Sequence, residues 1–307
     1  MCQVHGSCAD GIRFTLKSQI RRARAVLVEV QNNNLKMQIL FYFVKFELAD
    51  VPCGVGGVGA RSARIVGGAA ARPGQFPWLG SLTRRGGHYC GASLINKRWM
   101  LTAGHCLIRP TTIRVTLGEH DLTKPEVPVS RELRIELIVP HPLHKCGKPR
   151  DDLALIRLAE DVTWSEVVAP ACLPDGPNGK SYSNFAGTPA TVAGWGWLNE
   201  DSSKGVRANE LQKVDVSVLQ NELCQKWYVS QGKKTKINPG QMCAGDEQGG
   251  KDSCWADSGG PLMWSQASAA PMVIGVVSTG IGCGRPRLPG LYTRISEYMD
   301  WIQENVK

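Results

Sequence analysis

Short segments in which apolar and polar residues alternate recur along most of the chain, and this pattern constrains the fold more than any other feature. Examples are residues 113–117, 133–139 and 214–218. A period of two residues is typical of β-strands with one buried face. The one clear helical pattern lies at the C-terminus, where the apolar residues on one face are Ile295, Tyr298, Met299, Ile302 and Val306. The sequence therefore predicts an all-β barrel or sandwich with a C-terminal α-helix.

The composition excludes several classes of protein. The 307 residues include 11 cysteines, 34 glycines and 18 prolines, which favour a turn-rich chain with disulfides in an oxidising, extracellular compartment. No signal peptide is visible in the sequence. The net charge is +9, of which +5 lies in residues 1–64, so the remainder is too weakly basic to suggest nucleic-acid binding. The longest apolar run, residues 39–44, is much shorter than the roughly 20 residues of a membrane span.

A domain boundary is predicted near residue 60. Residues 53–64 (CGVGGVGARSAR) are rich in glycine and small side chains, a composition suited to an exposed connection. We therefore divide the chain into an N-terminal extension, residues 1–64, and a single domain, residues 65–307. The extension suits a prosegment or the remnant of a regulatory module.

Three short motifs contain the residue types that nucleophilic catalysis requires. Ser258 lies in Asp-Ser-Gly-Gly, His105 follows an apolar strand, and Asp152 precedes another. A serine hydroxyl is a weak nucleophile at neutral pH and needs a base such as an imidazole within reach. The glycines allow a tight turn that presents backbone N–H groups to one point. Asp-Ser-Gly-Gly alone would also suit an ordinary surface turn, but the three motifs together favour catalysis.

In their order along the chain, histidine, aspartate, serine, these motifs resemble those of the trypsin/chymotrypsin family of serine proteases. The resemblance covers residues 65–307 and implies two packed six-stranded antiparallel β-barrels with a C-terminal α-helix. It implies that Ser258 is the nucleophile and that His105 is the general base and then the acid. It also implies that Asp152, rather than Asp151, orients the histidine. The remaining histidines are expected to be surface or packing residues: His5, His88, His120, His141 and His144.

The resemblance also implies a pocket for a long cationic side chain. Asp252, six residues before the serine, corresponds to the pocket floor, and Gly280 and Gly290 correspond to its walls. A carboxylate in a narrow slot pairs with Arg or Lys and rejects neutral side chains. Ser278 would begin the edge strand that pairs with the substrate backbone.

The oxyanion hole is where the sequence departs from the family pattern. Its donors would be the N–H groups of Ala256 and Ser258, but the family has glycine at the position of Ala256. A residue with a Cβ can be awkward in the backbone geometry that this site needs, so we expect a less well preorganised donor. Gly104 also replaces the usual alanine before His105, with no evident consequence.

Activation by cleavage is a further implication. A cut between Arg64 and Ile65 would free an amine that pairs with Asp257, beside the nucleophile, and so order the site. We expect a secreted zymogen of a serine endopeptidase that cuts after Arg or Lys. Its partners would be protein or peptide substrates, an upstream activating protease and protein protease inhibitors. The alternative is a catalytically impaired homologue that acts as a binding or cofactor protein, which Ala256 alone favours.

The cysteines agree with the same family pattern. The resemblance implies four disulfides: Cys53–Cys172, Cys90–Cys106, Cys224–Cys243 and Cys254–Cys283. The first would tether the extension to the domain. Cys2, Cys8 and Cys146 remain, and because the total is odd, at least one thiol is free or intermolecular.

No cofactor is expected, and calcium is a minor possibility. Glu119 and Glu126 lie in the loop that binds calcium in some members of the family. Val129 stands near the position where a second carboxylate would be needed, so a solvated acidic loop is the default expectation.

Overall fold

The computed structural model of the chain describes residues 49–56, 68–107, 113–126, 128–201, 203, 205–265 and 270–307. These residues belong to one compact unit. Arg64, Ile65, Cys2 and Cys8 lie outside the described residues, as does most of the N-terminal extension. The first strand among the described residues is short, β1 (Ala69–Ala70).

The first barrel is built from six antiparallel strands. They are β2 (Leu79–Arg84), β3 (Gly87–Leu94), β4 (Trp99–Thr102), β5 (Ile113–Leu117), β6 (Arg131–Pro140) and β7 (Ala154–Leu158). The barrel closes in the order β2-β3-β4-β7-β6-β5. Alternate apolar side chains of these strands fill its interior, among them Leu82, Met100 and Val115, which are fully buried. Burial of such side chains is the main source of the barrel's stability.

Strand β6 departs from the alternation read in the sequence. Leu133 is buried as expected, but the pairing of β6 with β7 shifts register between Ile135 and Leu137. A bulge of this kind moves the following side chains to the opposite face. Leu137 is consequently 39% exposed rather than buried with Leu133.

The second barrel also has six antiparallel strands. They are β8 (Pro189–Gly194), β9 (Gln212–Leu219), β10 (Gln241–Ala244), β11 (Pro261–Trp264), β12 (Met272–Thr279) and β13 (Gly290–Arg294). They follow the order β9-β10-β13-β12-β11-β8, and pairing of β8 with β9 closes the ring. Strand β1 adds to β9 from outside. The predicted all-β fold of two six-stranded barrels is confirmed.

Two helices accompany the barrels. Helix α1 (Asn221–Ser230) was not predicted, because only Cys224 and Tyr228 are buried on it and its apolar face is narrow. A 3₁₀ turn, Ile295–Tyr298, leads into α2 (Met299–Asn305). All five apolar residues of the predicted C-terminal face are buried, so that prediction is confirmed. No helix in the described part of the chain is long and apolar enough to cross a membrane.

Glycines allow the loop between β10 and β11, which carries Ser258, to approach the first barrel closely. The Gly91 N–H in β3 donates to the carbonyl oxygen of Ser258 at 2.8 Å. A Cβ on Gly91 would lie 2.8 Å from the Cα of Gly260. Gly259 has a φ of 80°, in the left-handed region that glycine adopts without strain. The loop that carries Ser258 therefore lies directly against the first barrel.

Candidate active site

The first barrel holds His105 and Asp152 in contact. His105 lies in a 3₁₀ turn, Gly104–Leu107, just after β4, and Asp152 comes two residues before β7. The His105 Nδ1 is 2.7 Å from Asp152 Oδ2, and the His105 backbone N–H donates to Asp152 Oδ1 at 2.9 Å. Burial opposes ionisation of Asp152, but the hydrogen bonds and charge of His105 outweigh it and hold the pKa of Asp152 below its ordinary value.

The second barrel contributes further support to Asp152. The Ser278 hydroxyl donates to Asp152 Oδ2 at 2.5 Å, and the Thr293 hydroxyl donates to the Asp152 carbonyl oxygen at 2.8 Å. Sequence reasoning assigned Ser278 to the substrate backbone and did not find Thr293. Asp151 faces elsewhere, because its Oδ1 accepts a hydrogen bond from Tyr298 at 3.0 Å. Of the two adjacent aspartates, Asp152 alone meets His105.

Ser258 is held at this junction by its backbone. Its carbonyl oxygen accepts from Gly91, while the N–H groups of Ser258 and Ala256 donate to no described residue. Two free N–H groups on one loop are suited to an oxyanion. Among the described residues, no hydrogen bond joins Ser258 Oγ to His105 Nε2. Such bonds are commonly long until substrate binds.

Ala256 adopts the backbone geometry anticipated from the sequence. Its φ is 75°, in the left-handed region, where a residue with a Cβ is strained by about 1–2 kcal/mol. His88 Nε2 donates to the Ala256 carbonyl oxygen at 3.1 Å, and the Ser81 hydroxyl lies 2.7 Å from His88 Nδ1. Burial, together with the charge of Arg207, lowers the pKa of His88 to about 4. This neutral histidine therefore holds the strained loop.

His88 had been expected to be a surface or packing residue. It is buried, but packing is not its whole role, because it makes the hydrogen bond to Ala256. The local sequence gave no signal for this contact, since the two residues are 168 positions apart.

A cavity of about 640 Å³ extends from Asp252 to Asp257. Asp252 Oδ1 accepts from the Ser253 N–H at 2.8 Å, and Oδ2 accepts from the Gly284 N–H at 3.0 Å. Burial, with a smaller contribution from the charge of Asp257, raises the pKa of Asp252 to about 7. A Cβ on Gly290 would lie 2.6 Å from Asp252 Oδ1 and obstruct the carboxylate.

The other predicted wall residue, Gly280, is not among the residues that line the cavity. Gly280 lies just past the end of β12, and a Cβ there would lie 3.2 Å from the Gly282 carbonyl oxygen. The Cys254–Cys283 disulfide, whose cysteines both line the cavity, joins the two loops on which Asp252 and Gly280 lie.

Asp257 is a second half-buried carboxylate in the cavity wall. It accepts hydrogen bonds from the Gly196 N–H at 2.8 Å and the Cys254 N–H at 2.9 Å. Burial raises the pKa of Asp257 to about 6 despite these two bonds. No cationic side chain in the described part of the chain pairs with it. Asp257 could therefore accept a cation that enters the cavity.

The structure contains all four disulfides that the resemblance implied: Cys53–Cys172, Cys90–Cys106, Cys224–Cys243 and Cys254–Cys283. Cys146 is disulfide-bonded as well. The surplus thiol inferred from the odd cysteine count is therefore not that of Cys146.

The acidic loop after β5 contains the two carboxylates considered for calcium, Glu119 and Glu126. Burial and the nearby Glu126 raise the pKa of Glu119, so the two carboxylates do lie close together. However, Glu126 Oε1 already accepts the N–H groups of His120 and Asp121. Val129 is 82% exposed and has no oxygen in its side chain. Calcium takes six to eight oxygen ligands, among them backbone carbonyls and water, so these side chains alone do not decide whether the loop binds it.

Two closed six-stranded barrels, with a histidine–aspartate pair and a glycine-flanked serine at their junction, define a serine hydrolase of the chymotrypsin type. Residues 65–302 match the sequence model of the Trypsin family. The chain belongs to this family of serine proteases.

Similar proteins in animals are known serine proteases. The chain is 37% identical over 265 residues to serine proteinase stubble of Drosophila melanogaster. It is 40% identical over 259 residues to transmembrane protease serine 9 of Rattus norvegicus. These matches cover 83% of this chain but only 32% and 23% of those two proteins. Human testisin is 36% identical over 262 residues, which cover 79% of this chain and 78% of testisin.

Proposed function

We propose that the protein is an active serine endopeptidase that cleaves peptide bonds after Arg or Lys and acts outside the cell. The observation that carries the proposal is Asp252, a half-buried carboxylate that lines a cavity and has no cationic partner among the described residues. A guanidinium or ammonium group of a substrate would supply that charge. A neutral side chain would leave the carboxylate buried and unpaired, which is costly.

The chemistry follows from the groups at the junction of the barrels. Ser258 Oγ attacks the substrate carbonyl while His105 Nε2 takes its proton. Asp152 stabilises the imidazolium that results, and the N–H groups of Ala256 and Ser258 receive the oxyanion. His105 then returns the proton to the leaving amine, and the acyl-enzyme is hydrolysed by water in a second, similar cycle.

The same enzyme would be stored as a zymogen. A trypsin-like activator would cut between Arg64 and Ile65, and the new amine would enter the cavity and pair with Asp257. The support for this step is that Asp257 lines the cavity, has a raised pKa and has no cationic partner among the described residues. Residues 1–64 would then be the prosegment, and the Cys53–Cys172 disulfide would keep the cleaved segment attached.

The alternative function is that of a catalytically impaired homologue that binds other proteins. The strained φ of 75° at Ala256 is the observation that favours it. The hydrogen bonds between His105 and Asp152 favour the enzyme, because a binding protein has no need of them.

The test is activity before and after cleavage. The full chain is treated with an immobilised trypsin-like protease, which is then removed, and hydrolysis of peptidyl-arginine and peptidyl-phenylalanine amides is measured. We expect arginine amides to be cleaved by the treated chain alone. Ser258→Ala treated in the same way controls for residual activator, and Arg64→Gln should stay inert. Preference for phenylalanine would refute the specificity, and failure of an organophosphate to label Ser258 would favour the binding homologue.

A further inference from the structure

A second histidine, His144, lies beside the triad carboxylate. Its Nε2 is 3.7 Å from Asp152 Oδ1, and its side chain is only 8% exposed. That nitrogen is buried and forms no hydrogen bond with any described group. The ring of His105 pairs with the other carboxylate oxygen, Oδ2. Asp152 is therefore flanked by two imidazoles, of which the proposed mechanism uses one.

Gly104 provides the space for this ring. A Cβ on Gly104 would lie 2.8 Å from His144 Cδ2 and 3.1 Å from both Cγ and Nε2. Packed interiors do not absorb such an overlap without movement of the neighbouring atoms. The departure at Gly104, which had no evident consequence in the sequence, is therefore coupled to the position of His144.

The surroundings of His144 suit its protonated form. Its Nδ1 is 3.4 Å from the carbonyl oxygen of Arg150, and its Nε2 faces Asp152 Oδ1. Both facing atoms are acceptors. A neutral imidazole has one N–H and would leave one acceptor opposite a lone pair, whereas an imidazolium donates from both nitrogens.

We propose that His144 is a positioning residue of the triad, which binds Asp152 when its ring is an imidazolium and releases it when its ring is neutral. The proposal rests on the protease function proposed above. A positive charge at His144 shares the carboxylate with His105 and weakens its stabilisation of the His105 imidazolium during catalysis. Loss of that proton restores the full effect of Asp152 on His105.

The charged and titratable groups near His144 come from three places. They are His141, Lys145, Lys148, Arg150 and Asp151 of its own loop, His105 and Asp152 of the triad, and Tyr298, whose hydroxyl donates to Asp151 and whose ring contacts His141. Arg150 and Asp151 face each other at 3.6 Å, so their charges largely compensate. Burial is the main cause of the lowered pKa of His141, and the charge of His144 adds to it. Asp152 is the buried anion next to His144 Nε2, so it is the group that a proton on His144 affects most directly.

The proposal can be tested without catalysis. In full-length Ser258→Ala protein labelled with ¹⁵N, NMR follows the histidine ring nitrogens and the proton between His105 Nδ1 and Asp152 from pH 5 to pH 9. We expect this proton to shift in two steps, one of which coincides with titration of the His144 ring. Adding His144→Phe should leave one step, whereas the matched control His141→Phe should keep both. A single step in the parent, or two steps in His144→Phe, would overturn the proposal.

Kinetics of the cleaved chain provide the second readout. The acid side of the pH profile of kcat/KM for an arginine amide should contain two ionisations in the parent and one in His144→Phe. Gly104→Ala should lower kcat by roughly 10- to 100-fold with little change in KM, because it displaces the His144 ring against Asp152.

A double-mutant cycle separates this effect from a general disturbance of the loop. The loss caused by Gly104→Ala should largely disappear in a His144→Ala background, where the added methyl has space. Equal losses in both backgrounds would contradict the coupling. If the chain hydrolyses no arginine amide at any pH, the protease function fails, and the NMR experiment still decides the role of His144.

Discussion

The carboxylates of the two barrels have opposite electrostatic environments. Asp152, which enters the first barrel, accepts hydrogen bonds from His105 and Ser278, and its pKa is lowered despite burial. Asp252 and Asp257, on a loop of the second barrel, accept mainly backbone N–H groups, joined at Asp252 by the Ser253 hydroxyl, and burial raises their pKa values to about 7 and about 6. Asp152 is already satisfied by the His105 and Ser278 side chains and can orient the histidine without a ligand. The other two carboxylates are suited to bind cations that enter the cavity.

The backbone that holds these carboxylates also differs between the two barrels. His105 and Asp152 flank two paired strands, in which Thr102 of β4 lies opposite Ala154 of β7, so sheet register brings them together. Asp252 and Asp257 lie on a loop that the Cys254–Cys283 disulfide joins to the loop after β12. Strand pairing gives the first site a geometry independent of ligands. The loop allows the second site to depend on what binds there.

The largest effect should come from the satisfied carboxylate. Asp152→Asn should lower kcat of the cleaved enzyme by about 10⁴-fold, the loss known for this substitution in another member of the family. The amide cannot hold His105 in the tautomer that accepts the serine proton. Thermal unfolding should show that the variant remains folded. A loss smaller than tenfold would mean that Asp152 does not orient His105.

The next effect concerns Asp252, the first of the two carboxylates that have no cationic partner among the described residues. Asp252→Ser should lower kcat/KM for arginine amides by roughly 10²–10³-fold, because a buried charge pair with the substrate is lost. A small neutral organophosphate should still label Ser258, which shows that the machinery is intact. Asp246→Ser, a change at an acid that faces Lys251 outside the cavity lining, should leave both rates unchanged. Similar losses in the two variants would argue against a specific pocket.

The other such carboxylate, Asp257, should make the free energy of unfolding depend on pH. Asp257 has a pKa of about 6 in the fold against an ordinary 3.8, so between these values the folded state holds a proton that the unfolded state has lost. The free energy of unfolding of the uncleaved chain should therefore rise by up to about 3 kcal/mol as the pH falls from 7 to 4. This added stability should be lost again as the pH rises through 6.

Cleavage should remove this dependence, because the Ile65 amine would favour the ionised carboxylate. Urea unfolding of Ser258→Ala protein, cleaved and uncleaved, measures the difference, and other groups that titrate alike in both forms cancel. In Asp257→Asn, the free energy of unfolding should depend on pH in the same way in the cleaved and uncleaved forms. If the two forms already share one pH dependence in the parent, the amine does not pair with Asp257.

The smallest effect concerns Ala256, in the loop whose N–H groups would bind the oxyanion. Ala256→Gly should stabilise the protein by about 1 kcal/mol, because the left-handed backbone costs glycine little. It should also raise kcat by roughly two- to tenfold with little change in KM, since the oxyanion forms only along the reaction path. Arg85→Gly is the matched control, because Arg85 has a φ of 51° in the β2–β3 turn. It should add stability but leave kcat unchanged, and an equal kcat gain there would contradict the oxyanion explanation.

Much of the fold and of the candidate site could be read from local sequence. Alternation predicted the strands, helical spacing predicted α2, and the motifs around His105, Asp152 and Ser258 indicated the family. Helix α1 was missed because its apolar face is too narrow, and Leu137 was misplaced because a bulge leaves no trace in the alternation. Local patterns carry the signal for a strand, but not for a shift in its register.

The sequence by itself determined which chemical groups this protein has and which of them stand beside a turn, a strand or a glycine. These features depend on short-range backbone preferences and motifs that a few neighbouring residues specify. The tertiary structure alone decided that His88 holds Ala256, that Ser278 supports Asp152 and that His144 occupies the space left by Gly104. Such contacts join residues that are 40 to 168 positions apart, so they exist only after two closed barrels bring their loops to one junction.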